Sequence, residues 1–82
     1  VVTVLRAHGL RVVIFANDHR PAHVHVFGDG EAKINLLGAA GRPELMRADG
    51  MGRGEVRRAV RLAHEHQAML LACWEELHGR AD

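Results

Sequence analysis

The stretch HVHVFGDGEAKINLL, residues 23–37, alternates twice. In its first run Val24 and Val26 fall on one side and His23, His25 and Phe27 on the other; in its second, Ala32, Ile34 and Leu36 oppose Glu31, Lys33 and Asn35. A period of two residues marks a strand with one buried face. Gly28-Asp29-Gly30 between the two runs is turn chemistry. The stretch therefore reads as a β-hairpin whose valine and isoleucine face needs a partner layer.

Towards the N-terminus, residues 3–7 (TVLRA) and 11–16 (RVVIFA) flank His8-Gly9-Leu10 and predict a second hairpin. Asn17 to Ala22 is a loop, in which Pro21 fixes its own φ and disfavours helix at Arg20. Towards the C-terminus, Gly38 to Gly41 breaks the sheet, and Glu44 to Arg47 fits a short fifth strand. Beyond it the period changes. Val56, Val60, Ala63, Leu70, Trp74 and Leu77 share a stripe at 3.6 residues per turn, with Arg58, Arg61, Glu65, Ala72 and Glu76 opposite. This predicts one helix over residues 54–78. Gly52 and Glu55 resemble a capping pair with glycine in the place of serine, and Gly79 supplies the stop. The expected fold class is α+β: a small antiparallel sheet of four to five strands packed by one long C-terminal helix. The expected organisation is a single domain over residues 1–82, β-rich over 1–48, with a hinge at 49–53 and the helix at 54–78.

Composition fits this reading. The hydrophobic share is 48% and the charged share 26%, near the average for globular chains. A domain of 82 residues buries only about 60% of its unfolded surface, so a homodimer would help it. Eleven Lys and Arg against ten Asp and Glu give a net charge of +1, too balanced for nucleic-acid binding by charge alone. The single cysteine, Cys73, makes no internal disulfide, and its place beside Trp74 on an apolar helix face suits an inert thiol. The sequence contains neither a secretory leader pattern nor an apolar run long enough to span a membrane, so a cytoplasmic location and no membrane partner are expected.

The chemistry-bearing residues cluster. His19, His23 and His25 fall within seven residues, on a loop entering a strand. Two residues of strand advance about 6.6 Å, a span that two imidazoles close to meet at one ion or one phosphate. With the valines turned to the helix, the histidine rings are expected to point away from the core and be accessible. Three histidines with an open position form a known zinc arrangement, with Asp29 available as a fourth ligand. Without metal, His23 and His25 can serve as general acid and base, Arg20 can hold a phosphate, and His19 or Asp18 can orient them. The other polar residues have quieter expectations. Gln67 near the middle of the stripe must find hydrogen-bond partners, His64 and His66 flank the stripe, His78 suits the helix C-terminus, and His8 is expected at the surface.

Two familiar motifs fail. A cupin needs more strands than this chain supplies. A histidine-triad nucleotide hydrolase needs a histidine where Pro21 stands. The whole order of pieces, RVVIFANDHRPAHVHV, then EAKINLL, then GEVRRAVRLAHEHQAMLLACWEELHG, instead resembles domain of unknown function 4160 (DUF4160), a family of short bacterial proteins. In that family an acidic residue, His, Pro-Pro and His-x-His precede a terminal helix ending in Trp and often His-Gly. His19, Pro21, His23, His25, Trp74 and Gly79 match; Ala22 replaces a proline, Asp18 a glutamate and Gly52 a serine.

The resemblance implies no chemistry, but it implies a gene layout similar to toxin–antitoxin pairs. Three readings of function follow. The first is a toxin-like component that binds a small cognate protein from a neighbouring gene and cleaves RNA by histidine acid–base chemistry. The second is a protein binding zinc or another divalent metal through His19, His23 and His25. The third is a non-enzymatic partner-binding module.

Overall fold

The computed structural model describes residues 2–79. Both predicted hairpins form, and they join into one five-stranded antiparallel sheet in sequence order: β1 (Val2–Ala7), β2 (Leu10–Ile14), β3 (His23–Phe27), β4 (Glu31–Asn35) and β5 (Glu44–Asp49). The β1–β2 connection is tighter than expected, because Leu10 already belongs to β2. His8 and Gly9 both take positive φ (54° and 75°), the pattern of a type I′ turn, whose twist matches that of the strands it joins. Phe15 and Ala16 leave the sheet and begin the long β2–β3 loop.

Register decides which residues share a face. Val12 pairs with Val26 and Val26 with Ala32, while Val24 pairs with Ile34. These five, with Ile14 and Leu36, form one side of a core and are fully buried. The helices supply the other side through Ala59, Leu62, Ala63, Leu70 and Trp74.

The C-terminal half corrects four expectations. It is two helices, α1 (Arg53–Glu65) and α2 (Gln67–His78), separated at His66, whose φ of −116° and ψ of 22° leave the helical region. Next to this break the Gln67 amide donates to the carbonyls of Leu36 and Gly41, both at 2.8 Å. The half-buried amide is satisfied as the stripe required, and it pins the chain beside the break.

The buried stripe of α1 is also rotated, running through Glu55, Ala59, Leu62 and Ala63 while Val56 and Val60 are half-buried. Leu77, placed on the stripe by its spacing, is 37% exposed.

Glu55 explains the rotation. It makes no cap; its Oε2 instead accepts the Asp29 backbone N–H at 2.9 Å, tying the first turn of α1 to the β3–β4 turn. A Cβ at Gly28 would meet the Glu55 carboxyl and the Leu10 side chain, so a larger residue there would displace this contact. The stop behaves as expected: Gly79 takes φ 73° and donates to the Glu75 carbonyl at 2.7 Å. No helix among the described residues is long and apolar enough to cross a membrane.

Candidate functional site

The face of the sheet opposite the core carries the site. His25 pairs with Val13 on β2 and Lys33 on β4, and His23 pairs with Asn35, so both histidines lie on that outer face. They are nonetheless not accessible: His23 is 4% and His25 8% exposed. The strand alternation placed them correctly but said nothing of what covers them. The β2–β3 loop turns back at Phe15, whose carbonyl accepts the Asp18 N–H at 3.1 Å, and this brings Asp18 and the Phe15 ring to the histidines. Phe15 meets His25 edge-on at 4.7 Å, and Trp74 of α2 lies 5.1 Å from His23.

The two imidazoles sit 5.1 Å apart and turn their Nε2 atoms to the same carboxylate oxygen. Asp18 Oδ2 is 3.1 Å from His23 Nε2 and 3.2 Å from His25 Nε2. Their other nitrogens are occupied. His23 Nδ1 lies 2.8 Å from the Pro21 carbonyl, and His25 Nδ1 lies 2.8 Å from Glu31 Oε2.

A carbonyl and a carboxylate only accept, so each Nδ1 carries the proton and donates. In the neutral rings each Nε2 then holds a lone pair aimed at an oxygen that also holds lone pairs. Such an arrangement calls for a cation among the three atoms, either protons on the rings or a metal ion. One ligand atom each from Asp18, His23 and His25 lies within 4.8 Å of the others. Burial pushes His23 below its ordinary pKa of 6.5, against the opposing pull of the Pro21 hydrogen bond and the Asp18 charge.

A further layer holds this end together. His78 stacks on Trp74 at 3.8 Å, and its two ring nitrogens lie 3.1 Å from the carbonyls of Trp74 and Phe15. Arg20 Nη2 donates to the Gly79 carbonyl at 3.3 Å.

Of the residues singled out by sequence, His23 and His25 come together. His19 is exposed and outside the group, and its neighbour Asp18 supplies the third ligand atom instead. Arg20 is exposed and faces the end of α2. Asp29 sits in the turn at the far end of β3, exposed and outside the group. Glu31 had no role in the metal or acid–base readings. Hairpin register could have found it: Glu31 pairs with Phe27, which shares the outer face with His25 two residues away.

No curated protein and no solved structure matches the chain. The model of DUF4160, a domain of unknown function, matches residues 9–75, a span that contains Asp18, His23, His25, Glu31 and Trp74, and the chain therefore belongs to that family.

Proposed function

We propose that the protein binds one divalent metal ion through His23 Nε2, His25 Nε2 and an Asp18 carboxylate oxygen. The observation that carries this reading is the pair of Nδ1 hydrogen bonds, to Pro21 and Glu31, which leave both Nε2 lone pairs converging on a carboxylate. Metal-ligating histidines are oriented in this way, the second nitrogen donating to a carbonyl or carboxylate. Two imidazoles and one carboxylate suit zinc or ferrous iron and leave coordination positions open. Such an ion supplies Lewis acidity towards a carbonyl or phosphoryl oxygen. Asp18, Glu31 and the Pro21 carbonyl would fix ring orientation and balance charge, while Phe15 and Trp74 exclude water. A metal-free acid–base pair has less support, because both rings are buried, which leaves little room for a substrate to reach them.

The test is elemental analysis of protein purified without a histidine tag, together with fluorescence. Trp74 is the only tryptophan and lies against His23, so cobalt or nickel at the site should quench its emission. Near one equivalent of metal, with uptake and quenching lost in His25→Ala and Asp18→Asn, is the expected result. No uptake of zinc, iron, cobalt or nickel, or uptake unchanged in both variants, would overturn the proposal.

A further inference from the structure

The opposite end of the same outer face has an inverse problem. Arg6 on β1 and Arg11 on β2 are direct cross-strand partners, two like charges side by side. Like charges directly opposite in an antiparallel pair are destabilising unless something between them is negative. Arg47, on the same face, has Glu31 and Asp49 carboxylates within 4.0 Å. Among the described residues no carboxylate stands within that distance of Arg6 or Arg11. Both guanidinium residues line an open cleft of about 760 Å³, together with Phe27, Gly28 and Asp29. Arg11 is held in place over the Phe27 ring, 5.3 Å from its centre.

We infer that the Arg6–Arg11 cleft is a binding site for a phosphate group, carried as free phosphate or as a small phosphate ester. Guanidinium groups present forked N–H donors that match phosphate oxygens two at a time, and a bound dianion turns the repulsion between the arginines into a shared attraction. The Phe27 contact restricts Arg11 before binding, which lowers the ordering cost. Asp29 also lines the cleft and repels an anion, which favours a phosphate held on the arginine side. Along β3 the cleft begins one two-residue repeat from His25, so a ligand there lies beside the histidine site without needing it.

Calorimetric titration with inorganic phosphate and with adenosine 5′-monophosphate tests this. Saturable binding of either, weakened about tenfold or more in an Arg6→Gln/Arg11→Gln protein, is expected. Binding unchanged by an Arg53→Gln/Arg57→Gln control, which removes equal charge from α1, is also expected. A tighter fit of the nucleotide would assign the ester, and equal affinity would assign phosphate alone. No saturable binding of either probe, or equal loss in the two double variants, would overturn the inference. Circular dichroism shows whether each variant is folded. The Asp18→Asn protein must keep the binding; if it loses it, the anion sits at the histidine site, and the cleft proposal fails while the metal proposal stands.

Discussion

The two ends of β3 make opposite electrostatic demands on one sheet face. At the His23 end, three groups bearing lone pairs converge, with Phe15 against His25 and Trp74 against His23. At the Phe27 end, two guanidinium groups stand side by side in an open cleft. The first end suits a cation and the second an anion. The difference lies in burial: His23 and His25 are almost wholly covered, whereas the arginine end is open. On the two proposals above, one small sheet would hold ligands of opposite charge, one at a covered end and one at an open end.

That contrast breaks most sharply at Trp74. Trp74→Ala opens the closed end and removes one of the two fully buried side chains of α2, so a loss of about 3–5 kcal/mol in urea-unfolding stability is expected. Phosphate binding in the arginine cleft should survive at any urea concentration where the variant is still folded. Next in size is Glu31→Gln, which keeps the shape but removes the charge that orients His25. Metal titration should show affinity about 10–100-fold weaker with unchanged stoichiometry.

The pH response comes third and separates the ends by chemistry. Burial holds folded His23 below 6.5, so on acidification the unfolded chain takes up its proton first. The metal-free protein should keep full stability from this group above about pH 6.5 and lose it progressively below, until the folded ring also protonates. Denaturant midpoints across pH 5–8 measure this, and His23→Gln should flatten the slope. In the arginine cleft the pH dependence of binding should follow the titration of the phosphate itself. The smallest effect is on the open end alone: Arg6→Gln should change stability by less than about 0.5 kcal/mol, towards greater stability, since it removes a like-charge pair.

Much of the fold was legible because it rests on periodicity. The alternation of residues 23–37 set the central hairpin and told which face held Val24 and Ile34. Gln67 was legible for a related reason, since an amide on an apolar stripe must be bonded. The site was half legible. His23 and His25 followed from alternation, but the path of the β2–β3 loop depends on the turn at Phe15, and that turn brings in Asp18 rather than His19. The rotation of α1 was hidden because a glutamate at a helix start suggests a cap, while Glu55 answers an amide 26 residues away. The break at His66 carries no glycine or proline, so only the docking of Gln67 marks it.

The contacts that close the histidine end have a consequence for assembly. His78 reaches Phe15 across 63 residues of sequence and Arg20 reaches Gly79 across 59. The connections between neighbouring strands are at most eight residues, whereas these contacts join the early loop to the last turn of the final helix. Because closing a longer loop costs more entropy, the meander is expected to form before this seal. The ligand atoms would then reach their final spacing only when α2 docks, so metal capture would report completion of folding rather than start it.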